Sequence, residues 1–298
     1  MKALVIGGDG AIGRALKDKL ESRQDTVFFT TRRPVPAQGN ALHLDLATSD
    51  AETARLPRTD IAFFCAAITG FAACRNDREL AERVNFSAPS VLARRLVDAG
   101  SRVVFLSSNA VFDWSEPHVP ASREPSPRTE YGLFKAKAEK EFSALGSVAS
   151  IVRLSKVLRS DDRLFTGWID DLIQKKNITA FSDHHLAPIS LAETIEALVA
   201  ISQSPDSGIF QMSGARDISS FDAARRLASL TNADPNLVVA VKAAESGVPA
   251  NEIIHNSTLD SSRITALTGW APRDPSSVID EVFRDRVRRA AATNNTPG

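Results

Sequence analysis

The residues best suited to chemistry are Tyr131 and Lys135, four positions apart, and Tyr131 is the only tyrosine in the chain of 298 residues. On a helix this spacing places both side chains on one face. A free phenol titrates near ~10, and a neighbouring ammonium lowers that pKa by stabilising the phenolate. We therefore expect Tyr131 to exchange a proton with a substrate oxygen that Ser108, past a predicted strand, could bind. Alternatively, Tyr131 and Lys135 are an exposed pair on a helix without a chemical role.

A glycine-rich turn opens the chain, with Gly7, Gly10 and Gly13 in GxxGxxG spacing. It lies between an apolar strand pattern at residues 2–6 and a helical pattern that runs to Leu20. Glycines let the backbone approach a pyrophosphate, and the start of the helix offers unpaired N–H groups and the positive end of its dipole. The alternative is a turn whose glycines serve packing alone. The dinucleotide-binding residues predicted in this unit are Gly7, Gly10, Ala11, Ile12 and Gly13.

The second predicted strand, residues 26–30, leads into Thr31, Arg32 and Arg33. In a doubly wound sheet this position faces the adenosine ribose, where an acidic residue binds the 2′-hydroxyl of NAD. Here two arginines stand instead, and a guanidinium matches a 2′-phosphate in charge and geometry. We therefore favour NADP(H) over NAD(H), against the alternative of solvated loop arginines.

Two further strand ends are predicted to line the cofactor. A third strand over residues 41–46 ends in Asp45 and Leu46, and Asp45 could meet the adenine edge or cap the next helix. A fourth strand over residues 61–67 ends in small residues, which leave room for a ligand at the carboxyl edge of a sheet. The cofactor-lining residues predicted here are Asp45, Leu46, Cys65, Ala66 and Ala67.

Strand and helix patterns alternate up to a sixth strand over residues 148–154. One helix, interrupted at Pro89, is expected over residues 78–99, and the helix that carries Tyr131 could begin at Ser126 or at Thr129. This alternation predicts an α/β fold, a Rossmann doubly wound parallel sheet with helices on both faces. We assign residues 1–155 to this dinucleotide-binding domain and residues 156–298 to a smaller C-terminal α/β substrate lobe that is interleaved with the sheet.

Composition restricts the partners and the compartment. Basic and acidic residues both number 36, so no net positive charge is available to bind a nucleic acid polymer. The only cysteines are Cys65 and Cys74, which fits a reducing compartment, and no Cys/His cluster has metal-ligand spacing. No apolar run approaches ~18 residues, and no signal peptide precedes the first strand. We therefore expect a cytoplasmic protein with no membrane partner and no metal.

The order of glycine turn, strand-end serine and Tyr/Lys helix resembles the extended short-chain dehydrogenase/reductases, the NAD-dependent epimerase/dehydratase superfamily. Within it, the segment Ser107–Asp113 (SSNAVFD) is similar to the STDYVFD segment of the dTDP-4-dehydrorhamnose reductase-like group. The resemblance implies a catalytic triad of Ser108, Tyr131 and Lys135, in which Lys135 also holds the cofactor. It implies that Ser108, Asn109 and Arg153 contact the substrate. His184 lies in a segment, residues 182–188, that also resembles the group, and it could line the same pocket or serve packing.

Two departures refine the expected function. Lys156 stands where these reductases usually carry a tryptophan, and Asn109 with Ala110 replaces the Asp-Glu pair of the related dehydratases. We expect an NADP(H)-dependent reductase of a keto-sugar nucleotide or a related carbonyl compound. A nucleotide-sugar epimerase that retains NAD(P) is one alternative, and a non-catalytic NAD(P)-binding regulatory subunit is another. A homodimer could form through the helices at residues 78–99 and 132–145.

Overall fold

The computed structural model of the protein describes residues 1–35 and 39–294. Its central sheet has seven parallel strands in the order β11-β6-β5-β4-β1-β2-β3. These strands are β1 (Lys2–Ile6), β2 (Thr26–Thr31), β3 (Ala41–His43), β4 (Ile61–Phe64), β5 (Arg102–Ser108), β6 (Ala149–Leu154) and β11 (Gly208–Met212). The predicted Rossmann α/β fold is confirmed.

Helices cover both faces of this sheet and fill the smaller lobe. They are α1 (Ala11–Ser22), α2 (Asp50–Thr53), α3 (Phe71–Asn76), α4 (Arg78–Glu82), α5 (Ala88–Asp98), α6 (Glu130–Ser143), α7 (Arg163–Ile173), α8 (Leu191–Gln203), α9 (Ser220–Leu230), α10 (Ser262–Thr268) and α11 (Pro275–Asn294). In the part of the chain so described, no helix is both long and apolar enough to cross a bilayer.

Alternate side chains of β1 pack on opposite faces of the sheet, because successive residues of a strand point to opposite sides. Ala3 and Val5 join the core formed with α1 and α8, and Leu4 and Ile6 join the core formed with α5 and α6. All four of these side chains are fully buried. Burial on both faces explains why the strand reads as a continuous apolar run.

The second half of the chain returns to the sheet. Strand β11 pairs with β6, and α8 contributes to the same core as α1. The smaller lobe has its own core, formed by α7, α9 and α11 around the parallel pair β8 (Ile178–Phe181) and β13 (Val238–Val241). The lobe also holds the short strands β7 (Val157–Leu158), β9 (His185–Leu186), β10 (Ile189–Ser190) and β12 (Ile218–Ser219). The second half of the chain therefore contributes both a strand of the central sheet and part of the core beside α1.

Two predicted strands are shorter than expected, because local turns take over their backbone groups. β3 ends at His43, since the Asp45 N–H donates to the Asp50 carboxylate at 3.0 Å and Asp45 Oδ1 accepts the Ala47 N–H at 3.0 Å. Asp45 thus shapes a turn and does not cap α2. β4 ends at Phe64, where the N–H groups of Cys65 and Ala66 both donate to the Ile6 carbonyl.

The interruption expected at Pro89 in the helix over residues 78–99 lies slightly earlier, as a π-helical turn at Arg83–Ser87 between α4 and α5. Pro89 follows this turn at the start of α5, and its missing N–H cannot continue the regular ladder. Asn85, within the turn, exchanges two hydrogen bonds of 2.9 Å with the backbone of Ile68. The irregular turn therefore fastens the helix to the loop that follows β4.

Helix α6 begins after Thr129, whose hydroxyl accepts the Gly132 N–H at 3.1 Å, so Thr129 and not Ser126 is the cap. A Cβ atom at Gly132 would lie only 1.9 Å from the Ala110 carbonyl oxygen. The absence of a side chain there lets the first turn of α6 pack directly on the turn that follows β5. This contact sets the distance between Tyr131 and Ser108.

We predict that Gly132→Ala lowers the free energy of unfolding by about 1–3 kcal/mol, since the added methyl overpacks a backbone contact. Gly167→Ala is the matched control, because a Cβ atom there meets nothing within 4 Å in helix α7. Removing that helical glycine should raise stability by about 0.5–1 kcal/mol. Denaturant unfolding of both variants measures the difference, and equal effects would contradict the packing argument.

Candidate active site

The phenol of Tyr131 and the hydroxyl of Ser108 meet where α6 begins and β5 ends. Tyr131 is 8% exposed, and its hydroxyl lies beside that of Ser108, where a hydrogen bond from Ser108 favours the phenolate. Ser108 Oγ itself accepts the Ala110 N–H at 3.2 Å and donates to Asn109 Oδ1 at 3.2 Å. Burial raises the pKa of Tyr131 well above its usual value, while the Ser108 hydrogen bond opposes that rise.

Lys135 lies one turn further along α6 and is also buried. Its ammonium donates to the Leu106 carbonyl at 2.8 Å and lies 4.4 Å from the ring centre of Phe105 and 5.9 Å from that of Tyr131. Burial lowers the pKa of Lys135 to about 8, and the nearby Glu139 carboxylate opposes this shift. The amine therefore changes charge just above neutral pH, next to the phenol.

A buried polar network lies directly behind this pair. Glu139, a further turn along α6, accepts a 2.5 Å hydrogen bond from Ser107 and pairs with Arg153 at 2.7 Å. The Arg153 guanidinium also donates to Gln211 at 3.2 Å and to the Ala121 carbonyl at 3.1 Å. Gln211 in turn donates to the carbonyls of Val119 and Asp260. The network joins α6, β6 and β11 to two loops above the carboxyl edge of the sheet.

Arg153, which was expected to contact the substrate, is 1% exposed, and its guanidinium is already bound to protein groups. Its function in the structure is to compensate Glu139. Sequence reasoning missed Glu139, although its position four residues after Lys135 placed it on the same face of the helix.

Asn109 and His184, also predicted to contact the substrate, belong to different parts of the chain. Asn109 follows Ser108 in the same turn, and its amide donates to the Ser257 carbonyl at 3.4 Å. His184 belongs to the smaller lobe, where its Nδ1 accepts the Ile254 N–H at 3.4 Å, and burial lowers its pKa. Ile254 packs in the same apolar cluster as Tyr131 and Phe71. His184 is thus coupled to the neighbourhood of Tyr131 through Ile254.

The glycine turn closes tightly between β1 and α1. Gly7 has φ +89°, and a Cβ atom at Gly13 would lie 2.2 Å from the Gly7 carbonyl oxygen. A Cβ atom at Gly7 would lie 2.7 Å from Ala66, so the ends of β1 and β4 also meet without intervening side chains. Helix α1 has Gly10 at its N-cap and no side-chain cap on its first N–H groups. We call the turn formed by Gly7, Gly10 and Gly13 the cradle. A helix start without a side-chain cap beside this cradle suits an anionic pyrophosphate.

The adenosine end of this cradle is formed at the end of β2. The Thr31 hydroxyl donates to the Asp9 carboxylate and accepts the Arg33 N–H at 3.0 Å, while the side chains of Arg32 and Arg33 are exposed. Asp9, which sequence reasoning did not select, therefore stands between the glycine turn and the two arginines. Leu46 instead packs in the core of the sheet beside Leu44, so its side chain does not face this region.

This geometry agrees with the comparison against known proteins. Residues 1–287 match the family model described as the RmlD substrate binding domain. The chain belongs to this family. The prediction of an extended short-chain dehydrogenase/reductase of the dTDP-4-dehydrorhamnose reductase-like group is thereby confirmed, and with it the assignment to a family of NAD(P)-dependent oxidoreductases.

Three relatives illustrate the range of the family. The chain is 27% identical to a probable dTDP-4,6-dihydroxy-2-methyloxan-3-one 4-ketoreductase from Streptomyces antibioticus, over 96% of this chain and 95% of that protein. It is 23% identical to methionine adenosyltransferase 2 subunit beta from Bos taurus, over 92% and 84%. The structure superposes with a TM-score of 0.81 on a Bacillus anthracis dTDP-4-dehydrorhamnose reductase in complex with NADP, at 20% identity and 95% and 98% coverage.

We predict that Glu139→Gln lowers the free energy of unfolding by about 3 kcal/mol or more, because it leaves the Arg153 charge buried without a counter-charge. Glu141→Gln on the same helix is the matched control. Glu141 pairs with Arg94 at the surface, where losing an ion pair changes stability by about 0–1 kcal/mol. Urea unfolding of both variants distinguishes the two sites, and a small effect at Glu139 would contradict the assigned network.

Proposed function

We propose that the protein is an NADP(H)-dependent reductase of a keto-sugar nucleotide or a closely related carbonyl compound. The observation that carries this proposal is the placement of the buried Tyr131 phenol beside the Ser108 side chain, with the Lys135 ammonium 5.9 Å from the phenol ring. The sugar-nucleotide ketoreductases among the relatives support the substrate class.

The cofactor would be held by the glycine turn and the start of α1, with Cys65, Ala66 and Ala67 beside it at the end of β4. Their fit rests on the close approaches at Gly7 and Gly13, which leave the backbone bare. Arg32 and Arg33 would face a 2′-phosphate, and the NADP complex of the Bacillus anthracis relative supports this choice of cofactor. When bound, the reduced nicotinamide would supply a hydride to the carbonyl carbon.

The residues of the chain would supply the proton and the orientation. Ser108 would hold the substrate oxygen by a hydrogen bond, and Tyr131 would donate its phenolic proton to that oxygen. Lys135 would stabilise the resulting phenolate through its charge, since burial strengthens an electrostatic interaction at this distance. Without substrate, Ser108 donates to Asn109 Oδ1 at 3.2 Å, and its hydroxyl would exchange this bond for one to the substrate oxygen.

At residue 156 the substrate lobe offers a charged side chain to a ligand and not an aromatic ring on which it could stack. Lys156, where the reductases usually carry a tryptophan, forms a 2.7 Å ion pair with Asp162. A charged pair there cannot stack on a sugar or a base as an aromatic ring would. We therefore propose the class of keto-sugar nucleotides and no particular sugar.

A non-catalytic subunit is the second candidate, favoured by the similarity to methionine adenosyltransferase 2 subunit beta. Such a protein would use the same fold to bind a nucleotide and a partner enzyme, because a fold alone does not fix a function. Turnover of reduced cofactor by the purified chain with any keto-sugar nucleotide would exclude this candidate. An epimerase would instead retain its nucleotide through gel filtration and show no net oxidation.

We predict that Tyr131→Phe reduces kcat with a keto-sugar nucleotide by about 100-fold or more, because the variant lacks the general acid. The Kd for NADPH should change less than about threefold, since the phenyl ring is retained and only the hydroxyl is lost. Steady-state kinetics and fluorescence titration measure the two effects. Unchanged turnover would refute the assigned proton donor.

We predict that turnover falls as the pH rises through about 8, the pKa to which burial lowers Lys135, because the neutral amine no longer stabilises the phenolate. The same deprotonation does not destabilise the fold. Lys135 has a lower pKa in the folded chain than in the unfolded chain, so its contribution to stability increases with pH in this range. Above pH 8, turnover should therefore fall, whereas the contribution of Lys135 should not lower Tm. Turnover that stays flat to about pH 10, the ordinary lysine range, would contradict this role.

A further inference from the structure

The glycine turn carries a carboxylate to the end of β2. Asp9 is exposed, and one of its oxygens accepts a hydrogen bond from the hydroxyl of Thr31, the last residue of that strand. The Thr31 hydroxyl is fixed in turn by the Arg33 N–H at 3.0 Å. The position of the Asp9 carboxylate is therefore determined by the strand end and not by the turn alone.

The charge of Asp9 has no cationic partner in residues 1–35 and 39–294. The nearest guanidinium contact is that of Arg14, which donates to the Asp9 carbonyl at 3.2 Å rather than to the carboxylate. Arg32 and Arg33 follow Thr31 directly, and no carboxylate in the same described ranges forms an ion pair with either one. One end of the cradle thus combines an unneutralised anion with two unneutralised cations.

The carboxyl end of the second strand is the place where dinucleotide folds distinguish their cofactors. A carboxylate there accepts a hydrogen bond from the ribose 2′-hydroxyl, whereas it repels a 2′-phosphate. Guanidinium groups have the opposite preference, because they match a phosphate in charge and geometry. At this site a carboxylate therefore favours NADH, and the two guanidinium groups favour NADPH.

We propose that Asp9 is a selectivity residue that lowers the preference of this chain for NADPH over NADH. The inference rests on the proposed cofactor site. The Asp9 carboxylate accepts the ribose 2′-hydroxyl of NADH and repels the 2′-phosphate of NADPH, while Arg32 and Arg33 attract that phosphate. The wild-type chain consequently binds both reduced cofactors, and the choice between them is set by the balance of these charges.

The test is the ratio of the Kd values for NADH and NADPH, measured by fluorescence titration without substrate. Asp9→Asn removes the charge and keeps an oxygen that can accept the Thr31 hydroxyl. We expect it to tighten NADPH binding by about 5- to 30-fold and to leave NADH binding unchanged or weaker, given the strength of a charge pair a few ångströms apart in a solvated site. The shift should shrink at high salt, because exposed charges are screened.

Asp18→Asn is the matched control. Asp18 lies two turns into α1, is 61% exposed and pairs with Lys17 at 2.8 Å. The Asp18→Asn substitution removes the same formal charge as Asp9→Asn. It should change the ratio of the Kd values for NADH and NADPH by less than about twofold, because salt screens a distant exposed charge.

Equal changes of both Kd values in Asp9→Asn, or a shift that is insensitive to salt, would overturn the selectivity proposal and indicate a structural role. If the wild-type chain binds both cofactors and the ratio does not move, the proposed function stands and only the role of Asp9 is refuted. If the wild-type chain binds neither cofactor, both proposals fail.

Discussion

The site depends on the burial of charged side chains along one face of a single helix. Tyr131, Lys135 and Glu139 follow one another at successive turns of α6, and all three are at least nine-tenths buried. A buried charge is stable only when it is paired or hydrogen-bonded. The Leu106 carbonyl satisfies the Lys135 ammonium, and the Arg153 guanidinium satisfies the Glu139 carboxylate. The helix can face the sheet with this polar stripe only because β5 and β6 supply those partners.

This requirement explains why the reactive groups are close together. Leu106 and Ser108 both belong to β5, so the strand that receives the Lys135 ammonium also presents the hydroxyl beside Tyr131. The direct contact of Gly132 with the turn after β5 brings the helix near enough for both interactions. Arg153 and Gln211 extend the same polar layer to the loops at Val119 and Asp260. The loops that border the site are therefore held by groups that stabilise its charges.

The sequence predicted the parts whose pattern is local. The strand–turn–helix unit at residues 2–22, the alternation of strands and helices, and the helical spacing of Tyr131 and Lys135 depend on neighbouring residues, and the structure contains them. Arg153 is buried because it pairs with Glu139, 14 positions away in the chain, and no periodicity of the sequence reveals that pairing. Burial of the Glu139 carboxylate becomes favourable only because Arg153 lies beside it. The Asp9–Thr31 contact likewise joins two elements that are 22 positions apart.

The two ends of the site lie in different electrostatic environments, and this determines how strongly a substitution at each end affects the structure. At the phenol end, removal of water makes each charge interact strongly with its neighbours, so a single change propagates through Lys135, Glu139 and Arg153. At the adenosine end, Asp9, Arg32 and Arg33 are exposed, and solvent and salt weaken every interaction among them. Substitutions there alter an affinity by modest factors without disturbing the fold. The exposed charges of Asp9, Arg32 and Arg33 therefore tolerate substitution, whereas the charges on the buried face of α6 must stay paired, because no water can replace a lost partner there.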